Sequence, residues 1–341
     1  MAYQTNTVSS FADLKADVLA FLAANGYTQE GSDLIKKGNL YATLTTDTYY
    51  LEMRGAKRSD GVGNLVEPFD GPNRNVTWSN PGCRVVEKIQ GNSGGVVTMS
   101  WPITYHFHLS TNPDEFWCFL EYNGGYCQHF GFGNIIKSAP FTGGGFYTSS
   151  FSRPQSSEDS NSDTDAARWS TITNTLVSVS QGYYNHSGAI IPFNYTSYGG
   201  VIKDYFGGSA IHAEIDGVEW FGNTLLSSDD IFPNNLKLLP NGAFSYERSR
   251  SQSPINGITS LAPFRIMAGV PGRNVQQLGR INSLRFCKLG NLNFGQVESD
   301  GTDSWKFYPL IVKSPDADDS DTTFSDGTSG LYGLAVRYDG P

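Results

Sequence analysis

Apolar and polar positions alternate with a period of two from residue 103, where Ile103, Tyr105, Phe107 and Leu109 interleave with Thr104, His106 and His108. Such alternation sends successive side chains to opposite faces of a pleated strand. Thr111-Asn112-Pro113-Asp114 then predicts a turn, because proline presets one backbone angle and Asn and Asp bond back to their own main chain. Residues 116–122 form a second strand, Asn123-Gly124-Gly125 supplies positions that tolerate positive φ, and 126–132 returns as a third. The prediction is a three-stranded antiparallel meander whose pairing is local. If Tyr122 pairs with Tyr126 across the glycine turn, Phe119 faces His129, Glu121 faces Cys127, and His106 lies on the other side of Phe119. That register puts His106, His108, Glu121, Cys127 and His129 on one face. Phe107, Leu109, Phe116, Cys118, Leu120 and Phe130 fall on the other.

One segment has a clear helical period. Ser10 can cap, Asp13 follows three residues later, and Phe11, Leu14, Val18, Phe21 and Leu22 form an apolar stripe that Asn25-Gly26 ends. Short strands at 34–35, 40–45 and 49–54 follow, with Gly38-Asn39 and Thr46-Asp47 as turns, giving a small helix-on-sheet unit over 1–58. The stripe is expected to dock on that sheet.

From 59 to 81 the chain is rich in Gly, Pro, Asn and Asp, an irregular connection, and strands resume at 83–89 and 96–101 before the meander. Residues 59–152 thus read as an antiparallel β region. The run SRPQSSEDSNSDTD at 152–165 lacks burial energy and marks a solvated loop or linker over 153–165. Beyond it, 166–341 reads as a β-rich domain with strand candidates at 170–179, 189–193, 211–221, 264–268, 280–288, 305–312 and 331–338. Ile215-Asp-Gly-Val-Glu-Trp220 and Ile281-Asn-Ser-Leu-Arg-Phe286 share a pattern that a repeated hairpin would produce. The fold class expected is mainly β with a small N-terminal α+β unit, its antiparallel sheets arranged as a sandwich or barrel.

The leading W-x-I-x-Y-x-F strand, the aromatic second strand, the tight turn and the Phe130-Gly131-Phe132 exit resemble uncharacterised virion proteins of tailed bacteriophages, associated with the tail or baseplate. The similarity extends to residues 10–54, to Gly-Gly-Gly-Phe-Tyr at 143–147 and loosely to 278–286, and is much weaker over 153–275. Its motifs are structural. What it implies is a place, a virion tail assembled from chains made in the host cytoplasm, with other tail proteins and further copies of the chain, a trimer among the options, for partners.

Composition narrows the classes further. With 38 Gly, 39 Tyr plus Phe and 17% charged residues, the chain is turn-rich and strand-biased. A formal charge of -9 with scattered Lys and Arg argues against a nucleic-acid partner, and no run approaches the apolar length a membrane span needs. Cys83, Cys118, Cys127 and Cys287 contain no CxxC pair, which favours buried thiols over a disulfide framework or zinc ribbon.

Gly91-Asn92-Ser93-Gly94-Gly95 resembles the nucleophile loop of chymotrypsin-like serine proteases, yet the base histidine of that family precedes the serine and no histidine here precedes His106. A glycine turn between strands is the better reading. The His106, His108, Glu121, Cys127 and His129 face offers ligand types suited to zinc, and the phage resemblance adds the option of a His-x-His strand binding metal between subunits. Histidines on the polar face of a half-buried sheet are the plainer alternative. The Asp-rich run at 316–321 lacks the glycine and glutamate of an EF-hand loop and reads as solvated. No catalytic, cofactor or metal residue is therefore assigned. The expectation is a non-enzymatic structural protein of a phage tail, baseplate or fibre attachment, acting through subunit interfaces. The alternatives are a module that recognises host-surface polysaccharide and, behind it, a polysaccharide-cleaving enzyme.

Overall fold

The computed structural model describes residues 1–68, 83–90, 96–138, 144–150, 167–168, 209–215, 218–223, 261–268, 276–289, 292–309, 312 and 332–340. In chain order these form β1 (Ala2–Val8), α1 (Phe11–Ala24), β2 (Thr28–Glu30), β3 (Leu34–Lys37), β4 (Leu40–Thr46), β5 (Tyr50–Ser59), β6 (Leu65–Pro68), β7 (Cys83–Val86), β8 (Lys88–Gln90) and β9 (Val96–Thr98). The meander is β10 (Ile103–Ser110), β11 (Glu115–Tyr122) and β12 (Tyr126–Asn134), followed by β13 (Ile136–Lys137), β14 (Gly144–Ser150), β15 (Ala167–Arg168), β16 (Ser209–Ile215) and β17 (Val218–Asn223). Last come β18 (Ala262–Ala268), β19 (Gln276–Lys288), β20 (Val297–Ser299), β21 (Ser304–Pro309) and β22 (Tyr332–Arg337). The protein is mainly β, its sheets are antiparallel apart from the short β15–β8 pair, and no sheet among the described residues closes into a barrel.

The meander forms in the register read from the sequence: Tyr122 opposes Tyr126, Glu121 opposes Cys127, and Phe119 lies between His106 and His129. Its turn at Asn123, Gly124 and Gly125 uses positive φ at all three positions, and the first turn uses it at Asn112. The meander is the centre of a seven-stranded sheet ordered β1-β10-β11-β12-β14-β16-β17. The Phe-Gly-Phe-Gly exit has a packing cause. Phe130 and Phe132 point to one face, while Gly131 and Gly133 on the other sit opposite Trp117 and Glu115, where a Cβ would collide with the Trp117 ring and with the Glu115 backbone.

Helix α1 follows its sequence signals closely. The Asp13 amide donates to Ser10 Oγ at 3.1 Å, and all five stripe residues are buried together with Leu19. At its end the Tyr27 and Gly26 amides donate to the Leu22 and Ala23 carbonyls, with Gly26 at φ +85°, the six-to-one and five-to-two pairing of a Schellman stop. The stripe enters a core shared by β3, β4, β5, β7 and the apolar face of the meander, and Phe21 meets both Phe107 and Phe116. The helix thus covers the meander as well as the sheet it was expected to dock on.

That second sheet is ordered β2-β3-β4-β5-β6, with β7 also pairing β5. It stays bound to the central sheet through Lys37 Nζ donating to Asp114 and through Gln128, whose side-chain amide exchanges hydrogen bonds with both backbone groups of Val86. Strand β5 runs across the 58/59 boundary and pairs with β6 and β7 beyond it, while β16 and β17 from beyond residue 166 extend the meander's own sheet.

The third sheet is ordered β13-β19-β22-β21-β20, with β18 on β19, and lies against the histidine-bearing face of the meander. Three layers result. The expected single strand at 211–221 is the β16–β17 hairpin, whereas 281–286 lies inside the continuous strand β19, so the two similar hexapeptides do not share a hairpin. Strand β1 has no counterpart in the sequence reading. The glycine run at 91–95, the polar run at 152–165, the strand candidates at 170–179 and 189–193 and the Asp-rich run at 314–326 lie outside the described residues.

Candidate functional site

The candidate site is the joint between the central and C-terminal sheets, where the meander's polar side chains gather. Of the β11 positions that face this joint, Glu115, Trp117 and Phe119 are each fully buried, and Glu121 at the far end stays partly exposed. The Tyr308 ring of β21 stacks on Phe119 with centroids 4.1 Å apart and planes within 10°. The face expected to be half-solvated is therefore interior, and His106, His108 and His129 are 8%, 4% and 0% exposed.

The structure brings the five expected residues onto one face and does not bring them to one point. Phe119 separates His106 from His129 by two strand spacings, about 10 Å, too far for one ion. Among the described residues no three His, Cys, Asp or Glu side chains converge as metal ligands. Each histidine has its own surroundings. His108 Nε2 shares a 2.7 Å hydrogen bond with the Tyr308 hydroxyl, and burial holds its pKa well below the ordinary histidine value. Burial pushes the His129 pKa down to about 3, so its ring is neutral near pH 7. His106 Nδ1 lies 2.9 Å from the Tyr3 hydroxyl, and its Nε2 is 3.7 Å from Glu121 Oε2.

Tyr3 and Lys306 complete this corner. Lys306 Nζ donates to the Tyr3 hydroxyl at 2.8 Å, which leaves that hydroxyl's own proton for His106 Nδ1, while the Tyr3 ring meets His108 and Tyr338. The arrangement is a hydrogen-bonded seam that fixes the orientation of neighbouring aromatic rings. Sequence reading missed it because β1, AYQTNTV, has no apolar alternation to mark it as a strand.

Glu115 is the most consequential polar group in the joint. Its two carboxylate oxygens accept from the Asn282 and Ser283 amides of β19, each at 2.7 Å, and one also accepts from Ser283 Oγ. Burial raises its pKa to about 7, against the pull of these donors and of nearby Arg285. The four cysteines are buried and none forms a disulfide; burial pushes the Cys83 thiol up to about 12 and those of Cys118 and Cys127 well above their ordinary value, the opposite of what a nucleophilic thiol needs.

Tyr308→Phe tests the seam directly. It removes the partner of a buried imidazole nitrogen without changing the ring that stacks on Phe119, and is expected to cost about 1–3 kcal/mol in denaturant unfolding. A midpoint equal to that of the wild type would mean that the hydroxyl contributes nothing at the joint.

Compared with known proteins, the chain matches no family model and no curated protein.

Proposed function

We propose that this chain is a structural component of a tailed-phage virion, a baseplate or fibre-attachment protein made in the host cytoplasm and acting through contacts with neighbouring subunits. The observation that carries the reading is where the resemblance-bearing meander sits. It is the middle of the central sheet, packed on both faces, and its chemically suggestive side chains are engaged in holding the C-terminal sheet. What the described chain offers to partners is instead a strand edge, that of β1. The terminal strand β1 is seven residues long, carries no charged residue or proline, and is exposed at Thr5, Asn6 and Thr7. Partners are then other tail proteins and further copies of the chain. No described helix is long and apolar enough to cross a membrane.

The test is the mass of the purified protein at micromolar concentration together with its presence in fractionated virions. An oligomer found in tail fractions supports the reading; a monomer absent from particles overturns it.

A further inference from the structure

The outer face of the N-terminal sheet, away from the shared core, carries an arrangement that the assembly role does not use. On β5 the Glu52 side chain is only 3% exposed, and its two oxygens accept separately from Arg54 Nε at 2.6 Å and Arg84 Nε at 2.5 Å. Arg84 comes from β7, directly opposite Glu52, and its guanidinium lies 3.8 Å above the Tyr50 ring. Each guanidinium thus uses one donor on the carboxylate. Among the described residues, no Nη atom of either makes a further hydrogen bond, and the side chains remain 30% and 20% exposed. Two cations face one buried anion on a chain whose formal charge is -9.

This pair is held before any ligand arrives. Glu52 fixes both Nε positions and Tyr50 fixes the plane of Arg84, so little side-chain entropy remains to be lost on binding. The spare Nη donors of an arginine fork match the two oxygens of a planar oxyanion.

The surroundings say what kind of molecule carries the oxyanion. The register places Tyr41, Thr43 and Thr45 of β4 on the same face as Arg54 and Glu52, with Lys36 beside Tyr41. Tyr41 and Tyr50 lie six residues apart in strand register, which at the rise of a strand makes a strip about 20 Å long. Aromatic rings stand at its two ends, threonine hydroxyls line it, and the arginine pair sits between. An extended acidic peptide would look for a strand edge or apolar side-chain pockets, and this strip is a sheet face whose exposed side chains are polar or aromatic. Ring faces with hydroxyl and guanidinium donors suit sugar rings and their substituents.

We propose that this face binds an acidic oligosaccharide, with one sugar carboxylate seated on Arg54 and Arg84 and neighbouring rings lying along the strip toward Tyr41. The site is independent of where the chain sits in an assembly.

Calorimetric titration of the full chain with hexamers of galacturonate, mannuronate and sialate, and with the methyl esters of the first two, tests it. At least one acidic hexamer should bind, its neutral ester should bind at least about tenfold more weakly, and affinity should fall as salt rises. Arg84→Ala should weaken the acidic hexamer about tenfold, and Arg84→Lys should not restore it, since an ammonium lacks the fork. Because Arg84→Ala also removes a partner from buried Glu52, Tyr41→Ala serves as a second variant outside the ion pair and should weaken binding severalfold while the chain stays folded at the titration temperature. Absence of binding to all three acidic hexamers, equal binding of the esters, or full affinity in both Arg84→Ala and Tyr41→Ala overturns the proposal.

Discussion

Glu115→Ala is expected to destabilise the protein by about 3–5 kcal/mol, because it leaves two backbone amides and a hydroxyl of β19 without their acceptor at roughly 1–3 kcal/mol for each buried donor left unpaired. The loss should be local first. Hydrogen exchange at the Asn282 and Ser283 amides should accelerate more than exchange at amides inside β10 and β11, since the clamp joins the C-terminal sheet to a meander that keeps its own pairing. Uniform acceleration through both sheets would show that the joint does not open separately.

The same carboxylate gives the protein a pH dependence of definite sign. Its folded pKa of about 7 lies above the ordinary value of 4.5, so the folded state holds the proton more tightly. The stability tied to this group is fully present below about pH 4.5 and is lost as the pH rises through 7, on the order of 3 kcal/mol in all. Subtracting the unfolding free energy of Glu115→Gln at each pH removes the contributions of other titrating groups. That difference should fall between pH 4.5 and 8; a flat difference would mean that the three donors hold the carboxylate charged throughout.

The meander was legible in the sequence because its turns and its period agree: Asn123-Gly124-Gly125 fixes the hairpin, the hairpin fixes the register, and the register assigns every side chain to a face. What covers a face is not written in the strand itself. Phe116-Trp117-Cys118-Phe119-Leu120 is apolar at every position, the pattern of a strand buried on both sides. Trp117 and Phe119 lie on the histidine face, and their bulk is the available signal that this face is interior. Tyr3 and Lys306 had no such signal. One sits on a polar terminal strand and the other lies 303 residues away on β21, so only long-range pairing unites them. Arg54, Glu52 and Arg84 were hidden for the same reason, since β7 pairs with β5 across a segment whose sequence reads as an irregular connection.

Helix α1 lies at the other extreme, because cap, stripe and stop were all local, and the strongest expectation for the N-terminal layer rests on it. Leu14 and Val18 are both fully buried one turn apart, in a core that includes the N-terminal sheet and the meander. Leu14→Ala removes bulk where the helix, the N-terminal sheet and the central sheet share one core, and should cost about 2–5 kcal/mol depending on how far the site collapses. Lys15 is the neighbouring control. It makes a partly exposed ion pair with Asp33 and leaves no cavity in the core, so Lys15→Ala should cost no more than about 1 kcal/mol. Chemical denaturation of the two variants against the wild type separates the cases. A large loss for Leu14→Ala alone fixes the helix as a clamp between two sheets. An unchanged midpoint for Leu14→Ala, with assembly into particles abolished, would place the stripe against a partner chain instead.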